Sequence, residues 1–242
     1  MPELMLTPLQ WLAASAVIVA GTIVQGSIGF GVALLGAPLL YLIDPALIPA
    51  PMIVAGLGVS ALVLWRERRA VDGAEIARVL PGIALGVAAA GPVMRVVDAD
   101  TLGLLFGGLV LLGVGLSLGR PPVPGRRLLF AAGGLSGFMG TTTSIGGPPL
   151  ALAFQDRSGT RLRGTLSACF APSALLSLLV LYWAGHLQLP QLIAGLSLVP
   201  AMVVGFWVSA WTAHHLDRHW LRAAVLVVSA LAALAAIVRA LV

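Results

Sequence analysis

The chain has 242 residues, 59% of them apolar and 10% charged, with a mean hydropathy of +1.03. A water-soluble globule, where about 25% charge is usual, could not cover its surface with so few; disorder, a disulfide scaffold and a coiled coil are excluded as well. The net charge of +5 does not indicate nucleic acid, because all 14 basic residues are arginines lying mostly in short gaps between apolar runs, which is the positive-inside pattern of a membrane protein.

The apolar runs lack the period-2 alternation of barrel strands, so the crossings are read as helices, the other way to satisfy the backbone in lipid. The N-terminus, Met1-Pro2-Glu3, has no basic region, and the first run is expected to be retained. In chain order, 8–43 is a broken segment, interrupted by Gln25-Gly26-Ser27-Ile28-Gly29-Phe30-Gly31, and helices follow at 45–65, 77–97 and 101–118. A second broken segment, 128–155, is interrupted by Gly140-Thr141-Thr142-Thr143-Ser144-Ile145-Gly146-Gly147-Pro148-Pro149, and helices follow at 164–184, 190–212 and 220–241. Full helices need about 20 apolar residues. Glycine weakens a helix and proline breaks one. Such breaks are tolerated at membrane depth only where protein or a cavity surrounds them. Cys169 is the only cysteine and lies in an apolar stretch, so no disulfide or metal pair is expected.

The two parts repeat. Ser27-Ile28-Gly29 matches Ser144-Ile145-Gly146, and Ser60-Ala61-Leu62-Val63-Leu64 matches Ser177-Leu178-Leu179-Val180-Leu181, both at an offset of 117. At an offset of 119, Pro81, Gly86, Asp98 and Leu102 match Pro200, Gly205, Asp217 and Leu221. The expected repeats are 1–119 and 120–242, together one transmembrane domain.

If all eight segments crossed singly, the arginines would divide eight to six. If each broken segment instead enters and leaves on one side, the division is twelve to two, with only Arg95 and Arg239 on the minority face. The strong bias favours the second arrangement. It places the arginine-rich face in the cytoplasm and both termini outside. Each half then makes three full crossings, which inverts the second half relative to the first. The expected fold is an all-α polytopic membrane protein of two inverted repeats, an architecture of transporters with a midplane site. Whether 8–43 is re-entrant or crosses twice stays open, as the arginine count is the same for both.

This layout is similar to the TauE/SafE sulfite and sulfonate exporter family, also called the TSUP family. The resemblance rests on the duplication, the glycine-rich break in the first and fifth segments and the proline soon after it, and it covers essentially the whole chain. It implies a carrier of sulfite, sulfonates or related small organic anions in a bacterial inner membrane. It maps the family's glycine-rich turns onto Ile28-Gly29-Phe30-Gly31 and Ile145-Gly146-Gly147-Pro148. Phe30 interrupts the usual run of glycines, which bears on substrate size.

A small anion in a low-dielectric site needs donors or positive potential, and helix N-termini supply both. Short helices beginning after Gly31 and Gly147 would aim such termini at the midplane. The candidate binding residues are Gln25, Ser27, Gly29, Gly31, Thr141, Thr142, Thr143, Ser144, Gly146 and Gly147. The hydroxyls have a second reading, as caps that bond nearby carbonyls. Asp98 and Asp217 read as N-caps, and Arg95 and Arg222 as snorkelling side chains. Trp65, Trp183, Trp211 and Trp220 read as interface anchors, and Gly107, Gly108, Gly113 and Gly115 as close-packing residues. His214, His215, Asp217 and His219 match no zinc spacing. No carboxylate lies within a crossing and no hydrolase or metalloprotease motif is present, so no catalytic residue, cofactor or metal is expected. The expected partners are a small anion and membrane lipid, with no nucleic acid; a coupling ion (H+ or Na+) and a homo-oligomer stay open. A non-transporting subunit and a membrane-embedded enzyme are the competing classes.

Overall fold

The computed structural model describes residues 6–97, 99–119, 125–154, 156–157, 159–212 and 218–241. Every regular element among them is helical. The first broken segment is α1 (Pro8–Ile28) and α2 (Val32–Ile43), and the short 3-10 turn Pro45–Leu47 leads into α3 (Ala50–Glu67). Then come α4 (Gly73–Val96) and α5 (Ala99–Leu118). The second broken segment is α6 (Arg126–Thr143) and α7 (Gly147–Ala153), followed by α8 (Gly159–Ala184), α9 (Leu189–Ser197), α10 (Val199–Thr212) and α11 (Arg218–Leu241).

Among the described residues, six helical stretches are long and apolar enough to cross a membrane: Pro8–Ile28, Ala50–Ala70, Gly73–Val96, Thr101–Leu118, Gly159–Ala184 and Leu189–Thr212. The expected crossing at 220–241 falls within α11, whose 24 residues reach about 36 Å at 1.5 Å per residue; its described apolar run is Ala223–Val238. α1 has 21 residues, about 31 Å at 1.5 Å per residue, and is long enough to cross by itself. The two broken segments also differ in length after the break, with 12 residues in α2 and 7 in α7. Pro148 and Pro149 open α7, and the polar run that begins at Gln155 soon follows its end.

The expected crossing 190–212 is jointed at Leu198, between α9 and α10. Pro200 explains the joint, because its ring clashes with the carbonyl four residues back. Pro81, matched to it in the sequence at an offset of 119, sits inside an unbroken α4.

The packing exchanges elements between the two parts of the chain. α4 packs on α6 while α1 packs on α10, α5 packs on α7 while α2 packs on α11, and α3 packs on α8. Glycines set the first two contacts. A Cβ at Gly82 or Gly86 would collide with the carbonyls of Phe130 or Gly134, and one at Gly133 or Gly137 with those of Val79 or Ile83. A Cβ at Gly205, which the sequence match aligns with Gly86, would lie 2.7 Å from the Val19 carbonyl of α1. Small residues of this kind let membrane helices approach backbone to backbone. In α5, Gly107 packs on Ile237 and Gly113 on Pro148, but a Cβ at Gly108 or Gly115 would meet nothing within 4 Å among the described residues.

One face carries the ion pairs. Arg163 pairs with Glu67, Arg157 with Glu75, and Arg161 with Asp72 and Glu75. The α3–α4 and α7–α8 connections therefore share a face, which single crossings of all eight segments would have put on opposite faces. At the far end of α4, Arg95 lies over the Trp183 ring at 4.1 Å. Trp65, Trp183 and Trp211 are exposed near the ends of α3, α8 and α10. Asp98, Asp217, His214 and His215 lie outside the described residues, as do the side chains of His219, Trp220 and Arg222.

Candidate functional site

Both breaks turn through left-handed backbone. α1 ends at Gly29 (φ 95°) and α6 at Ser144 (φ 66°). Gly31 and Gly146 are the N-caps of α2 and α7. The conformational partners are thus Gly29 with Ser144 and Gly31 with Gly146, each pair 115 residues apart. The Ser-Ile-Gly match at 117 is out of step by two residues, because Ser27 is still helical while Ser144 is the left-handed cap. Glycine is required at 146 by space: a Cβ there would lie 2.8 Å from the Ser136 carbonyl. The Ser136 hydroxyl also donates to the Gly146 carbonyl at 2.6 Å and stitches the turn to α6.

Between the breaks lies a cavity of about 70 Å³, room for about five water-sized bodies. Its walls come from α1 (Gln25), the first turn of α2 (Val32, Ala33, Leu34), α3 (Met52 to Ser60), α6 (Ser136, Gly140) and α8 (Phe170 to Ser177). Phe170–Ser177 is the middle of the 26-residue α8, so the cavity sits at mid-depth along that helix. Among the described residues, no charged side chain lines it.

The donors differ in how they are occupied. The first N–H groups of a helix have no intrahelical partner. At α2 no side chain caps them, and Val32, Ala33 and Leu34 line the cavity. At α7 the corresponding supply is poorer, because Pro148 and Pro149 have no N–H. Ser173 lines the cavity and, among the described residues, its hydroxyl has no hydrogen-bond partner. The Gln25 amide lies 3.5 Å from the Ser60 hydroxyl. Ser177 and Thr141 share a 2.8 Å bond, and Thr141 also donates to the Gly137 carbonyl, so Ser177 is the donor in their pair.

Of the ten candidate residues, Gln25, Gly31, Ser144, Gly146 and Gly147 line the cavity. Ser27, Gly29, Thr141, Thr142 and Thr143 do not. Thr142 donates to the Phe138 carbonyl at 2.9 Å, Thr143 to Met139 at 2.8 Å and Ser27 to Ile23 at 2.7 Å. Their hydroxyl protons are used within their own helices. Gly29 faces away from the cavity, against Arg163, and Ser144 donates to the Pro49 carbonyl at 3.0 Å. The sequence reading missed Ser60, Ser136, Ser173 and Ser177. Two of them had a signal, since Ser60 and Ser177 are matched in the sequence at an offset of 117. Phe30 is buried, lines the cavity and packs on Gly147 of the opposite break, at 3.2 Å from a Cβ built there.

Beneath the cavity, about 10 Å down α3 from Ser60 at 1.5 Å per residue, Arg66 donates to the Gly26 carbonyl at 2.9 Å and Arg163 to Glu67. Asp72 caps α4 through the N–H groups of Ala74 and Glu75. The Glu75 N–H bond, followed by that of Ala74 and the charges of Arg161 and Arg78, holds the Asp72 carboxyl below its ordinary value. Arg157 is pushed up by its bond to Glu75.

Comparison with curated proteins and with solved structures gives no significant match. The family model described as sulfite exporter TauE/SafE matches residues 13–236. With that match over nearly its whole length, and with helices of membrane-spanning length, the chain belongs to the TauE/SafE family of membrane transporters.

Proposed function

We propose that the protein is a secondary carrier of small sulfur-containing or related organic anions, held in the cavity between the two breaks. The observation that carries this reading is the uncapped first turn of α2, whose residues Val32, Ala33 and Leu34 line a neutral cavity and whose N–H groups have no intrahelical partner. An anion there gains charge-assisted hydrogen bonds and the positive end of the helix macrodipole. The Ser173 and Ser60 hydroxyls and the Gln25 amide complete a donor set. No carboxylate opposes it among the described residues. A cavity of this size suits sulfite or a short sulfonate and excludes bulky organic anions.

We read the exchanged helix packing as two inverted repeats, with the ion-paired face in the cytoplasm, both termini outside, and the bacterial inner membrane as the site. A coupling ion, H+ or Na+, belongs to this reading, and so does either a monomer or a homo-oligomer. Proteoliposomes holding the purified chain test it. Sulfite or a short sulfonate should cross at a saturable rate, and an organic cation of similar size should not. Cation flux with no response to any sulfur oxyanion overturns the assignment. Cysteines placed at Arg68 and Arg161 should both be labelled from the cytoplasm.

A further inference from the structure

A second basic site lies away from the cavity, on the outer surface of the α4–α6 pair. Arg78 of α4 and Arg126 and Arg127 of α6 converge on an open groove of about 920 Å³ whose other walls are Ala74, Ala77, Pro81 and Phe130. The groove has a plain cause. The glycine contacts bring α4 and α6 together backbone to backbone, and alanines beside the crossing leave a notch that large side chains would have filled.

These three arginines differ from four others on their face, and Arg68 and Arg69, which also lack an ion pair among the described residues, lie outside the groove. Arg66, Arg157, Arg161 and Arg163 are all ion-paired. Among the described residues, Arg78, Arg126 and Arg127 make no ion pair and no hydrogen bond, and no acidic side chain lines the groove. Arg78 interacts with Asp72 only at longer range. Arg126 and Arg127 occupy the first turn of α6, which has no acidic residue and no side-chain cap at Gly125. Two guanidinium groups and the unpaired N–H groups of a helix start are thus gathered at one point, an arrangement the macrodipole disfavours unless an anion joins it. Pro81 and the 42%-exposed Phe130 continue the groove toward the apolar surface, where Leu85 is 60% exposed.

We propose that this groove binds an anionic phospholipid, its phosphate held by Arg78, Arg126 and Arg127 and the start of α6, and one acyl chain laid along Pro81, Phe130 and Leu85. The charge calls for an anion, and the apolar walls call for one with a hydrocarbon tail.

The test is native mass spectrometry of the purified full chain in detergent, titrated with phosphatidylglycerol, phosphatidylcholine or inorganic phosphate. Phosphatidylglycerol should be retained over phosphatidylcholine. Replacing all three arginines by glutamine should weaken its binding about a hundredfold, at roughly fivefold per charge. Lysine at the three positions should keep most of the affinity, and Arg95→Gln, at the far end of α4, should change nothing. Should the triple variant not survive extraction, Arg126→Gln alone should show about a fivefold loss. Equal retention of the two lipids overturns the proposal, and so does a triple variant that binds as wild type. Displacement of phosphatidylglycerol by inorganic phosphate at equal concentration would show a soluble-anion site instead. A dimer that the triple variant splits would show a second copy on this face.

Discussion

Arg163 donates two hydrogen bonds, at 3.0 and 2.9 Å, to one carboxylate oxygen of Glu67, 96 residues earlier in the chain. Both side chains are nearly buried, at 12% and 9% exposure, and Arg66 approaches the same oxygen at 3.2 Å. The pair joins α3 to α8 on the side of the cavity that faces the ion-paired surface. Removing one partner from such a pair leaves an uncompensated buried charge. Glu67→Gln should therefore cost about 3–5 kcal/mol. Arg68→Gln, at an exposed neighbour, should stay within about 0.5 kcal/mol. Thermal melting of the purified variants distinguishes the two, and an unaffected Glu67→Gln would show that the pair is dispensable.

The hydroxyls divide into two groups with opposite expected signatures. Ser173→Ala should weaken anion binding by roughly 1.5–3 kcal/mol, about ten- to hundredfold, with little change in melting temperature. Thr142→Val and Thr143→Val delete hydroxyls that already donate to carbonyls of their own helix. They should leave affinity near wild type. Isothermal titration with sulfite reads both, and the reverse pattern would move the site from α8 to the threonine run.

Phe30 narrows the cavity by lying against Gly147. Phe30→Ala should admit longer sulfonates that wild type rejects, while sulfite affinity falls less than the larger ligands gain. The substitution also empties buried space, with a stability cost of about 3 kcal/mol or more. A thermal-shift series over sulfonates of increasing chain length would show the changed cut-off, and an unchanged cut-off would assign the size limit to another wall.

Acid should loosen the α3–α4 connection at Asp72. Its carboxyl is held below the ordinary value, so the stabilisation is fully present above about pH 4 and is lost as pH falls through the lowered native value. Asp72→Asn keeps a good N-cap but removes the charge. Melting temperature followed from pH 7 to pH 3 should fall less steeply for this variant than for wild type. Parallel curves would show that other carboxylates control the acid limb.

Much of this arrangement was legible in the residues. Long apolar runs, Pro and Gly clusters and the arginine count pointed to the helices, the two breaks and the shared face of Arg66–Arg78 and Arg157–Arg163. The sequence did not give the register of the breaks, because Ser-Ile-Gly reads alike at 27 and 144 while only Ser144 adopts the left-handed cap. It also did not give the state of the hydroxyls. Thr142 and Ser173 are equally polar as letters, and only the helix around Thr142 shows that its proton is already used. Ser60 and Ser177 were visible as a matched pair, but their convergence on one cavity depends on α3 packing against α8.

The glycine contacts between α4 and α6, and between α1 and α10, bear on biosynthesis. Each joins helices from opposite parts of the chain, so residues 1–119 leave the ribosome with two packing faces still waiting for partners that have not been made. The Gly82–Gly86 face of α4 is closed only when α6 emerges, and the Val19–Gly26 face of α1 only when α10 does. A chain severed between α5 and α6 should yield fragments that are short-lived when made singly and that assemble when made together.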